Sequence, residues 1–346
     1  MELLVNLQKK EVVSLIEVQH LTKSYGNQIA VEDLSFTIPN GQIYGLLGPN
    51  GAGKSTTMNI LTGCLAATEG EVHIDGYDIF EDAEKAKSRI GYLPEQPPLY
   101  LDCTPREYLT FVARAKKVPE REISMHILDV MEKTGVEDVA DRLMKNLSKG
   151  YKQRVGIAQA LVGNPEIIIL DEPTSGLDPQ QIIEIRDLIR DLGTDHTVIL
   201  SSHILSEVEN LCDNVMIISH GRLMACDSPS NLAEMFRGTT TIRLVVDGDA
   251  ETVQKILEGV DGLTDIEAAP EKEGRTAVRI DSDSRDSDEI SKNVFFAFSQ
   301  AGTPVLQMTM DHVDLEDVFV ELTEEEPLSE TESLGTSSET EEEEQS

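Results

Sequence analysis

The run Gly48-Pro49-Asn50-Gly51-Ala52-Gly53-Lys54-Ser55 matches the phosphate-binding loop pattern in full. It follows the apolar segment QIYGLLG and precedes 55–66, which has helical spacing. That order predicts a strand, a tight loop and a helix. Gly48, Gly51 and Gly53 let the backbone turn its N–H groups towards an anion. A helix opening near Lys54 aims the positive end of its dipole at the same point. Lys54 offers charge to the β- and γ-phosphates of a nucleotide, and Ser55 offers a hydroxyl to Mg²⁺.

The chain around this loop alternates strands and helices. Residues 16–24 and 34–38 switch between apolar and polar, as half-buried strands do, and Pro39-Asn40-Gly41 marks a turn. Residues 71–78 predict a strand and 82–88 a short charged helix. From about 95 to 150 the spacing turns helical, over 105–117, 121–134 and 137–144, which predicts a helical insertion. Helix 151–162, strand 166–170, helix 179–192, strand 197–201, helix 204–211 and strand 214–219 follow. Strands that are apolar throughout, alternating with helices, predict an α/β fold with a mainly parallel sheet covered on both faces.

A second unit begins near residue 240. Strand TIRLVV, helix 250–259, strand 276–281, helix 286–300, strand 304–310 and helix 313–322 approach a βαββαβ order. They predict a small ferredoxin-like α+β domain over 239–322, with its second strand left unplaced in 262–275.

Charge narrows the function. The chain has 64 acidic and 29 basic side chains, and even its first 240 residues carry a net −13. Phosphate-backbone binders present basic surfaces, and aromatics at 4% with no Trp leave few stacking platforms, so direct nucleic-acid binding is disfavoured. Residues 323–346 hold ten Glu and no Lys or Arg and predict a disordered acidic tail. Cys64, Cys103, Cys212 and Cys226 form no CxxC pair, which fits a reducing compartment. The opening residues, 1–15, read as a short extension without signal-peptide character. No apolar run approaches the roughly 18–20 residues of a membrane helix, so the expected location is the cytoplasm, with any membrane role through a partner.

A second motif joins the loop. In IIILDE, residues 167–172, an apolar strand ends in two carboxylates, where such sheets bind ligands. Asp171 is placed to hold Mg²⁺, and Glu172 to orient or deprotonate an attacking water.

With these motifs, LSKGY at 147–151, KQRVGIAQAL after it and IIILDEPTSGLDP beyond, residues 16 to about 235, in a domain bounded at 16–238, resemble the nucleotide-binding subunit of an ATP-binding cassette (ABC) transporter. The resemblance implies a P-loop NTPase cassette with an antiparallel N-terminal β part and a helical subdomain. It implies Gly48, Pro49, Asn50, Gly51, Ala52, Gly53, Lys54, Ser55 and Thr56 as the nucleotide-binding run, with ATP and Mg²⁺ as ligands. It also implies a dimer in which Ser148 and Gly150 of one protomer close over ATP held by the other, with Asp178 at the crossing loop. Tyr25 matches the position of an adenine-stacking aromatic, and His203 that of the histidine which contacts the γ-phosphate. The family's usual LSGGQ has Lys149 and Tyr151 in its third and fifth places here. Where the family commonly has Gln reaching Mg²⁺, this chain has Glu95, with Gln96 one later. The remaining histidines, His20, His73, His126, His196, His220 and His312, have no ligand spacing.

The resemblance implies an ATPase peripheral to the inner face of the cell membrane, driving membrane subunits on separate chains that dock on its helical subdomain. The variants IGYLPE and LSKGYKQR and the ending LEDVFVELT resemble the exporter-type branch. Two alternatives stay open: a soluble ABC ATPase acting on ribosomes or DNA, and a regulatory clamp that closes on ATP and hydrolyses it slowly.

Overall fold

A computed structural model describes residues 14–235, 240–271, 274–282, 287–311 and 315–324. Most of the 1–15 extension and of the acidic tail lie outside these residues, as does His312.

The described residues open with β1 (Ser14–Tyr25) and β2 (Gln28–Pro39), an antiparallel pair, then β3 (Ile43–Leu47), which is buried along its whole length. The glycine-rich loop leads to α1 (Lys54–Leu61). β4 (Glu69–Ile74) and β5 (Tyr77–Asp78) follow. The expected single strand 71–78 is therefore a hairpin. Asp75 and Gly76 both take positive φ, 49° and 77°, and a two-residue turn of that kind folds the chain back on itself. Next come α2 (Ala83–Ser88), β6 (Ile90–Leu93), α3 (Pro105–Ala115) and α4 (Glu120–Thr134). Thr104 caps α3 in a reciprocal box with Glu107, with Pro105 at its first position.

The expected helix 137–144 is not continuous. Two 3₁₀ turns, Glu137–Val139 and Met144–Asn146, stand in its place. Val136, Val139, Ala140 and Met144 are all buried, so the apolar spacing records a covered face. The chain breaks at Asp141, which turns outward to pair with Arg106 at 2.9 Å.

After the insertion come α5 (Lys149–Leu161), β7 (Ile167–Leu170), α6 (Pro179–Leu192), β8 (Thr197–Ser202), α7 (Leu205–Leu211) and β9 (Asn214–Ser219). β10 (Arg222–Asp227) and α8 (Pro229–Met235), absent from the sequence reading, complete the first unit. The main sheet has the order β10-β9-β3-β8-β7-β6, parallel except for the β10 edge. A separate antiparallel sheet runs β2-β1-β4-β5.

Successive strand residues feed two cores. In β7, Ile167 and Ile169 join the core shared with the antiparallel sheet and α1, while Ile168 and Leu170 join the core under the helices of the insertion. Both faces are covered, which is why these strands lack polar alternation.

The second unit contains β11 (Thr240–Asp247), α9 (Ala250–Leu257), β12 (Leu263–Pro270), β13 (Arg275–Ser282), α10 (Ser287–Ala301) and β14 (Val305–Asp311). Its strand order, β12-β13-β11-β14 with antiparallel neighbours, is the ferredoxin-like arrangement. Ile242, Leu244, Val253, Ile280, Val294 and Phe298 form its own core. The last helix, α11 (Leu315–Glu324), does not join that core: its Phe319 and Leu322 pack against the first unit.

Helix α5 lies directly on β6. A Cβ added at Gly91 would stand 2.1 Å from the carbonyl oxygen of Ala160, a backbone atom that cannot rotate away. Gly91→Ala is expected to destabilise the protein by about 2–3 kcal/mol, as overpacking of a tight contact does. Denaturant unfolding measures it, and a parent-like midpoint would show that α5 can shift without cost.

Candidate nucleotide-binding and hydrolysis site

The loop between β3 and α1 forms the floor of a cavity of about 390 Å³. Gly53 takes φ 106°, a conformation that side chains resist, and its Cβ would meet the Ala30 carbonyl oxygen at 2.6 Å. α1 begins here with no side-chain cap and no acid in its first turn, whereas α3, α5 and α6 are capped by Thr104, Ser148 and Asp178. Its first N–H groups are thus left for an anion.

Lys54 is 6% exposed, and its Nζ donates to the carbonyls of Gly48 at 2.8 Å and Pro49 at 3.2 Å. Burial pulls its pKa down, and the charges of Glu172, Asp171 and Glu95 oppose that.

Opposite the loop, β7 delivers its two carboxylates. Asp171 is buried, and its Oδ1 accepts from Ser201 Oγ at 2.6 Å and from Ser55 Oγ at 3.4 Å. A carboxylate and a hydroxyl this close, both hard oxygen donors at the mouth of a phosphate loop, fit Mg²⁺.

Glu172 has φ 48°, a strained conformation for a side chain of its size. Its N–H donates to Ser201 Oγ at 2.8 Å. Its Oε2 lies 2.8 Å from His203 Nδ1, and its Oε1 3.9 Å from Lys54 Nζ. Burial raises the Glu172 pKa, while the His203 hydrogen bond and charge, and then the Lys54 charge, pull it down.

The cavity therefore gathers Asn50, Gly51, Gly53, Lys54, Ser55, Thr56, Glu95, Glu172 and His203. Ala30 and Ser175, which the sequence reading missed, also line it. Gln96 and Tyr25 do not. Tyr25 stands half exposed at the end of β1, with Lys23 Nζ 5.2 Å from its ring centroid.

Ser148, Gly150 and Asp178 line a different cavity, about 460 Å³, with Tyr151, Arg154, Gln181 and Glu184. No lining residue is common to the two. Ser148 Oγ accepts from the Tyr151 N–H at 3.3 Å and Asp178 Oδ1 from the Gln181 N–H at 2.9 Å, so both cap helices that open onto this second cavity. The Ser148 hydroxyl proton stays available to a ligand.

Ser201 is the link that motif reading passed over, since it touches both Asp171 and Glu172. A visible signal was the Ser201-Ser202 pair ending a strand otherwise apolar from Val198 to Leu200. Of the histidines without ligand spacing, His196 Nδ1 contacts the Pro165 carbonyl at 2.8 Å, and His126 Nε2 accepts from the Gly163 N–H at 2.9 Å. Among the described residues no helix is long and apolar enough to cross a membrane.

Comparison with known proteins follows the same lines. Residues 31–175 match the family model described as ABC transporter. The chain is 31% identical over 310 residues to the linearmycin resistance ATP-binding protein LnrL of Bacillus subtilis, covering 89% of this chain and 98% of that protein. It is 36% identical over 311 residues to the bacitracin transport ATP-binding protein BcrA of Bacillus licheniformis, with 89% and 97% covered. Among solved structures, a dimeric ATP-binding cassette in a post-hydrolysis state with ADP and Pi matches at TM-score 0.57 and 26% identity, over 62% of this chain and 98% of that one.

In the nucleotide- and metal-free chain, His203→Ala removes the hydrogen bond and the charge that lower the Glu172 pKa. The carboxyl is expected to titrate at higher pH than in the parent, so its charged form is lost sooner as pH falls. Carbon-13 NMR of glutamate-labelled protein measures this, and a downward shift would overturn the pairing.

Proposed function

The chain belongs to the ABC transporter family as an ATP-hydrolysing subunit, and from that premise we propose that it works as a dimer with two ATPs sandwiched between protomers, powering an exporter whose membrane subunits are separate chains. The observation that carries the dimer is the split of the site. The phosphate loop, Glu172 and His203 line one cavity, while Ser148, Gly150 and Asp178 line another with no shared wall. Each chain thus holds two halves, and two copies facing each other complete both sites.

In the closed site Glu172 takes a proton from water, or orients it, for in-line attack on the γ-phosphate. His203 holds the carboxylate by its 2.8 Å contact through Nδ1 and leaves its other ring nitrogen for the phosphate. Lys54 exchanges the carbonyls of Gly48 and Pro49 for phosphate oxygens. The uncapped N–H groups of α1 stabilise the charge that spreads over those oxygens. Ser148 and Gly150 of the second protomer cover the γ-phosphate, Ser148 through its hydroxyl and Gly150 by close backbone approach. Ser55 and Asp171, with Glu95 on the same wall, would hold Mg²⁺, which neutralises phosphate charge. Tyr25 would stack on the adenine.

In this reading the membrane partner docks on the helical insertion. A groove lined by Cys64, Tyr92, Pro98 and Val112 runs beside it, and Tyr100, Leu101 and Phe111 stand at least half exposed nearby. A short amphipathic helix fits such a groove. Export is favoured because similarity to a resistance protein and an antibiotic-transport protein runs through 89% of the chain, beyond the cassette alone.

Glu172→Gln is expected to keep ATP binding and lose about 10²–10⁴-fold in turnover, the range for removal of a general base. Purified with ATP from detergent-solubilised membranes, this variant should bring a multi-span membrane protein with it, whereas recovery of soluble partners or ribosomes alone would overturn the transporter reading. Ser148→Arg places a long cation where the second protomer must close. ATP-induced dimerisation of a Ser148→Arg, Glu172→Gln protein should disappear in light scattering, and dimerisation at the level of Glu172→Gln alone would count against the sandwich.

A further inference from the structure

Glu207 lies four residues after His203, on α7, and is 3% exposed. Its neighbours on the same buried face are Val208 and Leu211, so an apolar side chain would be the ordinary occupant. A buried carboxylate is costly unless it is closely solvated by protein groups, and here it is. Oε2 accepts from Thr174 Oγ1 at 2.7 Å and from Ser202 Oγ at 3.0 Å. Oε1 faces Arg186 Nη2 of α6 at 3.2 Å, an ion pair without hydrogen-bond geometry. Ser202 Oγ in turn accepts from the Ile204 N–H at 3.0 Å, which holds the turn around His203.

The partners identify what the group does. Thr174 comes two residues after Glu172, and Ser202 immediately precedes His203. One carboxylate oxygen therefore ties the loop leaving β7 to the turn leaving β8. Those two segments carry the Glu172–His203 contact, and Glu172 sits in a strained conformation that persists only when its surroundings over-determine it. Glu207 itself does not line the nucleotide cavity.

We propose that Glu207 is a positioning residue for hydrolysis: through Thr174 and Ser202 it locks the two loops in register and keeps the Glu172 carboxylate and the His203 ring in contact. This rests on the reading of Glu172 and His203 as the groups that act on the attacking water. A loop freed at Thr174 lets the carboxylate drift from its line of attack while the phosphate loop, which binds ATP, is untouched.

The test uses the full chain with Mg²⁺-ATP and the variants Thr174→Val, Ser202→Ala and Glu207→Gln, each alone and with Glu172→Gln. Each single variant is expected to lower kcat by on the order of 10- to 10²-fold, the cost of misplacing a reacting group. KM for ATP should stay at the parent value, while the melting temperature falls by the few degrees that loss of a buried hydrogen bond costs. Thr174→Ser, which restores the hydroxyl, should restore kcat. In the Glu172→Gln background the same changes should cost nothing further, because their effect runs through the group already removed. A merely structural role would raise KM and add its loss to that of Glu172→Gln, and that result overturns the proposal. Should Glu207→Gln fail to fold, Thr174→Val, a near-isosteric change, decides alone. Parent kcat in Thr174→Val with Glu172→Gln inactive overturns the positioning role only. Parent turnover in Glu172→Gln overturns the base assignment, and the positioning role with it.

Discussion

Strand β7 is covered on both faces, and the site depends on where that coverage ends. Ile167 and Ile169 are committed to one core and Ile168 and Leu170 to the other. A slip of one residue would exchange the two sets, and a slip of two would draw Asp171 into the sheet or push Leu170 out of it. The next residue is a carboxylate just past the C-terminal end of the strand, beside the hydroxyl that follows the phosphate-loop lysine. The strained backbone of Glu172 follows directly from this anchoring, because the chain must turn at once where the strand stops. Buried hydroxyls then hold that turn: Ser201 grips both carboxylate residues, and Thr174 is held in turn by Glu207.

The same economy of capping governs the second cavity. Ser148 and Asp178 satisfy first-turn N–H groups of α5 and α6 within the chain, whereas α1, which opens onto the nucleotide cavity, has no side-chain cap. A helix start without a cap is stable when a ligand supplies the acceptor. In the proposed dimer the capped starts approach the nucleotide from one protomer and the uncapped start from the other. ATP then serves as the acceptor that joins two surfaces, and its hydrolysis removes part of what holds them.

The second unit is tied to this machinery by its last helix. α11 carries Phe319 and Leu322 into the core that also contains Val208 and Leu211 of α7. The helix bearing Glu207 is therefore packed against the end of the ferredoxin-like unit.

Much of this was legible in the residues. The phosphate loop, the apolar strand ending in Asp171-Glu172, LSKGY and the alternation of strands and helices are local patterns, and local patterns determine loop geometry, strand burial and helix phase. Apolar spacing over 137–144 misled because it records which residues are covered, and two short turns cover them as well as a helix does. The hairpin over 71–78 was legible too, because Asp75-Gly76 between alternating residues is a two-residue turn signal that a single strand overlooks. What only the tertiary structure decided is which distant groups meet: Ser201 with Asp171, Glu207 with Thr174, Glu95 rather than Gln96 on the cavity wall, and α11 on the first unit's core. The reason is physical. A side chain's local preference is set by its neighbours in sequence, but the partner of a buried polar group is set by whichever strand or helix the close-packed core brings beside it.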